Sequence, residues 1–166
     1  MKGGFKIKGH FRVEHIRNGK IIGIYDIDNA VVNEGLDNIL DVMFHNDTQT
    51  ATWYLGLLND ADLADLLATD TMASHPNWTE NQSYTEATRQ EWTEDAASGQ
   101  EITNSTYVAF SINATTTISG IFCCSDNTKG GSSGILWATG LFTSGDVSAE
   151  SGDTLNVTYT ITGAAA

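Results

Sequence analysis

Residues 30–45, AVVNEGLDNILDVMFH, decide how the rest of the chain is read. Leu36, Ile39, Leu40, Met43 and Phe44 recur at helical spacing and form one apolar stripe. Asp37, Asn38, Asp41 and Val42 take the opposite side. Asn33 stands where an N-cap residue belongs, and Glu34 falls in the first turn, where the helix dipole favours an acid. The pattern predicts an amphipathic helix over about 33–45. No other stretch commits to a helix, so the stripe has only sheet to bury itself against. The helix is therefore expected to seal a β-core, and Leu40→Asp to unfold the domain.

On the N-terminal side, Phe5, Ile7, Phe11 and Val13 alternate with Lys6, Lys8, His10, Arg12 and Glu14. Strict period two predicts a half-buried strand with a basic outer face, and Gly9 on the apolar side marks a bulge or a close approach. Asn18-Gly19 is a preferred two-residue turn, so a returning strand over Ile21–Ile27 closes a hairpin spanning 5–28. On the C-terminal side, Thr50–Leu58 is nearly free of charge and rich in aromatic and β-branched residues, as expected of a strand buried on both faces. Residues 59–100 lack a period and read as a long aromatic-bearing loop, of the kind that carries function or an interface. Leu63, Leu66 and Leu67 suggest a short helical turn within it. Residues 101–162 read as β-structure throughout, with strands at Tyr107–Ile112, Thr117–Cys124 and Leu155–Ile161, and a flexible turn at Asp126–Gly134. Ile135–Phe142 is placed at a sheet edge or in a loop. Seven strands and one helix predict a mainly β, single-domain chain, a β-sandwich or jelly-roll-like domain with the helix packed on the sheet.

Composition narrows the function classes. The 166 residues carry a net charge of −13, yet six of the eight basic residues lie in the first twenty positions, opposed there only by Glu14. An acidic body suits neither general nucleic-acid wrapping nor specific readout, whereas the basic leading segment Lys2–Lys20 could meet an acidic partner surface. No apolar run approaches the ~20 residues of a membrane span, and no apolar segment of signal-peptide type follows the first basic residues, so synthesis is expected in the cytoplasm. Cys123 and Cys124 are adjacent and would point to opposite faces of a strand, where a bond between them would be strained; two reduced thiols are expected.

No catalytic set emerges. Gly130–Gly134 matches GxSxG literally, but no histidine follows His75 and no helix follows the serine. His10, His15, His45 and His75 lack metal-ligand spacing, and His75 reads as a loop residue bonding backbone. Asp60, Asp62 and Asp65 lack the remaining calcium-loop positions, and no dinucleotide or phosphate-loop motif occurs. Neither cofactor nor metal is expected. Of the four tryptophans, Trp53 reads as core, while Trp78 and Trp92, in the polar loop, read as interface anchors.

At residues 31–44 (VVNEGLDNILDVMF), 52–57 (TWYLGL), 70–80 (DTMASHPNWTE) and 151–160 (SGDTLNVTYT), the sequence resembles small virion structural proteins of tailed bacteriophages, over about Lys8 to Thr162. The resemblance implies a non-enzymatic virion component made in the host cytoplasm. The leading role is a head decoration (cement) protein on the major capsid protein, the second a tail or head-fibre component binding a receptor or glycan. It also implies a homo-oligomer, with a trimer favoured. On this reading Lys6, Lys8, Arg12 and Arg17 meet the capsid, and Trp78 and Trp92 meet capsid or a sister subunit.

Overall fold

The computed structural model describes residues 4–59 and 61–165. They form a β-sandwich with one helix: β1 (Phe5–Arg17), β2 (Lys20–Val31), α1 (Asn33–Phe44), β3 (Trp53–Asn59), β4 (Thr79–Asn81), β5 (Gln90–Trp92), β6 (Glu101–Thr103), β7 (Val108–Ser111), β8 (Thr116–Ile118), β9 (Gly120–Cys124), β10 (Leu136–Leu141), β11 (Val147–Ala149) and β12 (Thr154–Ala165). The first sheet runs β2-β1-β12, with β6 and β7 both on the far edge of β12; the second runs β10-β9-β3, with β4 and β5 both on the far edge of β3. All pairings are antiparallel. Strand β2 joins the sheets: it pairs with β1 as far as Asn29, then Ala30 and Val31 pair with β10. β8 and β11 make a separate two-stranded ribbon.

The hairpin turns at Asn18 and Gly19, whose φ values of 51° and 74° are the left-handed pair expected of that dipeptide. Gly9 is a close approach, because Asn29 lies opposite it and a Cβ there would fall 2.0 Å from Asn29 Oδ1. Phe11, Val13, Leu155 and Val157 face Leu55, Leu57, Ile121 and Cys123 across the main core. The second sheet is buried on its other face too, where Leu58, Phe122, Cys124 and Leu136 lie under Ala61, Met72 and Trp78. Hence Thr50–Leu58 shows no alternation, and the two adjacent cysteines, both free and buried, serve different cores.

Several expectations need correction. The described residues hold twelve strands, not seven. β4, β5, β6 and β11 are three residues each, too short to carry a period, and Ser119 interrupts the expected Thr117–Cys124 strand. Residues 61–92 are not a free loop: β4 and β5 extend the second sheet, Ala61, Met72 and Trp78 cover its outer face, and Tyr84 and Trp92 enter the main core. Ile135–Phe142 is no edge: β10 lies between β9 and β2. Asp126–Gly134 is not loose, because the Arg89 guanidinium donates to the Asp126 carbonyl (2.9 Å) and the Gly131 carbonyl (2.7 Å), while the Gly130 N–H donates to Glu80 (2.7 Å).

The helix forms where expected but buries a different face. Leu36, Leu40, Met43 and Phe44 are exposed, Phe44 by 82%. The buried residue is Gly35, with Ile39 packed against the core one turn on. A Cβ at Gly35 would lie 2.6 Å from the Trp137 carbonyl oxygen, so the side lacking a side chain approaches the sheet and the bulky stripe is turned outward. Nor is Asn33 the N-cap. Val32 holds that position with extended backbone, and the Asn33 N–H donates to the Ala68 carbonyl (2.8 Å). Glu34 accepts from the Leu136 N–H (2.6 Å) and the Met72 N–H (3.3 Å), pinning the first turn to the sheet and the covering layer.

Candidate functional site

The residues proposed for partner binding do not converge. Trp78 is 3% exposed in the outer core, its ring stacked on His75 at 3.8 Å and its Nε1 donating to Asp70 (2.9 Å). His75 Nδ1 lies 3.1 Å from the Trp78 carbonyl oxygen, the backbone contact expected of it. Trp92 is equally buried in the main core, against Tyr159 at 5.0 Å, with Nε1 donating to Asn104 (2.9 Å). Neither indole is an exposed anchor. Polar neighbours in sequence concealed this, because each N–H is satisfied by a buried side chain that periodicity does not reveal.

The outer face of β1 is also less basic than its own sequence. β2 brings Asp26 opposite Arg12 and Asp28 opposite His10. Arg12 Nη1 lies 3.6 Å from Asp26, and the two nitrogens of His10 lie 3.1 and 3.0 Å from Asp26 and Asp28. Burial lowers the His10 pKa, but hydrogen bonds to Asp28 and Asp26 outweigh it, and the net shift is upward. Arg17 makes a two-pronged pair with Asp153 (2.8 and 2.8 Å) and reaches Glu150 at 3.0 Å. Its hydrogen bonds lead in holding the Asp153 carboxyl well below the usual carboxylate range. Lys6 and Lys8 are exposed and have no ion pair among the described residues. Lys2 and Asp60 lie outside the described residues.

Buried polar groups make structural networks. His15 Nε2 sits 2.7 Å from Asp153, and no hydroxyl or thiol among the described residues bonds the imidazole, so the pair lacks the nucleophile that would give it acyl-transfer chemistry. No group of three or more His, Cys, Asp or Glu side chains among the described residues could hold a metal ion. Burial pushes the Cys123 thiol up, away from the reactive thiolate.

Two apolar features lie beside α1. The first is the exposed apolar ridge of Leu36, Leu40, Met43 and Phe44. The second is a cavity of about 290 Å³ between α1 and one end of the sandwich. Trp53, Trp92 and Trp137 line it from the second sheet, and Ile102 and Ile161 from the first, while Ile39 and Val42 reach it from the helix. Val42, assigned to the polar side of the helix by its neighbours, thus faces the cavity. Trp53 stands directly opposite Trp92 across β3 and β5, and its ring lies 5.9 Å from that of Trp137. Three tryptophans separated by up to 84 positions meet through strand register, which no local motif announces.

The fold and site therefore define a class: an antiparallel β-sandwich with a helix laid across one end, an apolar ridge outside and a tryptophan-lined cavity beneath. No protein-family model and no curated protein matches the sequence.

Proposed function

We propose that this chain is a non-enzymatic structural protein of a tailed-bacteriophage virion, a head decoration protein that binds the outer surface of the major capsid protein and stabilises it, as a homo-oligomer. The resemblance supplies the virion context. The observation that supports a docking role is the ridge: four large apolar side chains stand exposed on one twelve-residue helix pinned by Glu34 and Gly35. A contiguous exposed apolar ridge on a fixed element is a contact surface or an aggregation hazard, and a partner turns the second into the first. The contact is thereby moved from Trp78 and Trp92 to Leu36, Leu40, Met43 and Phe44, with Lys6 and Lys8, exposed and unpaired among the described residues, able to steer towards acidic capsid.

A glycan-stacking role at Trp78 and Trp92 is not favoured, because their buried rings leave a sugar no face to stack on. The test is binding to heads assembled without this protein. Leu40→Asp and Phe44→Asp should leave the melting transition nearly unchanged and lower head occupancy at least tenfold. Lys6→Glu with Lys8→Glu should weaken occupancy more at low salt than at high. Full occupancy by the two aspartate variants would overturn the docking assignment, and labelling of tails rather than heads would overturn the decoration role.

A further inference from the structure

We infer that residues 20–25 of β2 form a self-association edge, on which a second copy of this chain lays its own residues 20–25 in the antiparallel sense. The other long strand edges are covered. β6 and β7 lie on β12, β4 and β5 lie on β3, and β10 pairs with β2 at Ala30 and Val31. Past the end of β10, the Asp26 carbonyl still accepts from the Thr143 N–H (3.3 Å) and hydroxyl (3.0 Å). From Lys20 to Tyr25 the edge away from β1 meets no strand among the described residues. The Asp26 carbonyl points away from β1, and by alternation the backbone groups of Ile24 do the same. Ile21, Ile22 and Ile24 stand along this open edge, 54, 51 and 46% exposed. A bare apolar edge strand is a template for another strand.

Register selects the partner. Ile21 stands opposite Ile16 and Ile24 opposite Glu14, with Ile22 and Gly23 between them on β2 but His15 alone between their partners on β1. A regular foreign strand would fall out of step at that extra residue, whereas a second copy carries the same one. A two-fold alignment sets Ile21 of each copy opposite Ile24 of the other, and Lys20 opposite Tyr25, so the contact is isologous. Charge agrees with the antiparallel sense. Lys20, exposed and without an ion pair among the described residues, lies at one end of the open edge, and Asp26 and Asp28 lie beyond the other. Antiparallel copies bring each lysine towards the acidic end of its partner, and parallel copies would set like beside like. The open edge is the turn end of β2, while α1 begins after Val31 at the far end, so the apolar ridge stays free in the dimer.

Sedimentation velocity of the full chain across a concentration series tests this. The edge is short, so a dimer should form with a dissociation constant of roughly 1–100 µM. Hydrogen exchange at residues 21–24 should slow as the dimer fills. Ile24→Lys sets an ammonium opposite Glu14 of its own β1, which spares the fold, and should weaken the dimer at least about tenfold, because the contact occurs twice. Ile21→Thr, a milder change on the same edge, should weaken it in the same direction, and Lys20→Glu by about threefold. Leu40→Asp, on the ridge, should leave the dimer unchanged. A monomer at millimolar concentration, a trimer, a dimer indifferent to both isoleucine changes, or one dispersed by Leu40→Asp would each overturn the edge assignment. The inference does not rest on the virion reading, and head occupancy plays no part in this measurement, so the two proposals stand or fall separately.

Discussion

Arg89→Met isolates what a buried charge does for this fold. Arg89 is the largest fully buried side chain, with 1% of its side chain exposed, and its Glu80 partner has 4%. Its Nε and Nη2 donate to Glu80 at 3.1 and 2.9 Å, while Nη1 and Nη2 hold the carbonyls of Asp126 and Gly131. The guanidinium also lies 5.2 Å from the Phe122 ring centroid. Methionine keeps most of the stem and deletes every donor, leaving Glu80 with the Gly130 N–H and a long contact from Tyr84 at 3.4 Å. Breaking one partner of a buried pair costs about 3–5 kcal/mol, and the two loop carbonyls regain water once the loop lifts, so about 4 kcal/mol is expected. That is a large part of the 5–15 kcal/mol typical of a domain. Urea unfolding followed by tryptophan fluorescence measures it, and hydrogen exchange at residues 126–134 should accelerate before the global transition. Glu80→Gln with Arg89→Met should cost less than the two single losses added. A loss below about 1 kcal/mol, or strict additivity, would show that the pair does not anchor the loop.

Three further outcomes follow from the geometry. Gly35→Ala would ordinarily raise helix stability by up to about 1 kcal/mol, but the close Trp137 carbonyl should reverse the sign to a loss of about 1–3 kcal/mol in a denaturant melt. Asp153→Asn should cost about 2–3 kcal/mol at neutral pH, since Arg17 loses a charge partner and the His15 imidazole loses the carboxylate it bonds. Because the Asp153 pKa is depressed on folding, its contribution is present above the unfolded value of about 3.9 and lost as pH falls through the folded value; the variant should show a shallower acid limb in a pH series of melts. His10 has the opposite sign: its pKa is raised on folding, so its support is full below about 6.5 and fades as pH rises through the folded value. His10→Gln should therefore lower stability at pH near 6 by a few tenths of a kcal/mol, the partly exposed setting limiting the effect, and leave stability near pH 9 unchanged.

What could be read from sequence was what a single element states about itself. The hairpin turn, the doubly buried β3, the opposed cysteines and the existence of α1 depend on local spacing, and all are present. The orientation of α1 is a different kind of fact. Periodicity weighs side chains by size, so it placed Leu36, Leu40 and Met43 inward. The closest approach belongs instead to Gly35, which contributes no apolar area to any stripe. Trp78 and Trp92 failed as surface residues for a related reason, since Asp70 and Asn104 make a polar neighbourhood compatible with burial. Short strands such as β4 and β5 have no period to detect and exist because β3 offers them an edge.

The basic face of β1 shows how one residue can redirect a functional argument. A two-residue Asn18-Gly19 turn alone sets Arg17 opposite Lys20 and Ile16 opposite Ile21. Carried on unchanged, that register would bring Tyr25 opposite Arg12 and Asp26 opposite Phe11, driving a carboxylate towards the core. The bulge between His15 and Ile16 adds one residue to β2, so Ile27 meets Phe11 in the core and Asp26 meets Arg12 outside. The same shift that keeps the acids out of the core places them beside His10 and Arg12, where they neutralise the patch an acidic partner would otherwise read. Lys6 and Lys8, beyond the reach of Asp26 and Asp28 along the strand, keep free charge, as does Lys20 beside the turn. If the chain decorates heads as proposed, a salt-dependent contact would draw on the open end of the hairpin, and Arg12→Glu should disturb the Asp26 pairing in stability measurements while altering head occupancy far less than Lys6→Glu with Lys8→Glu.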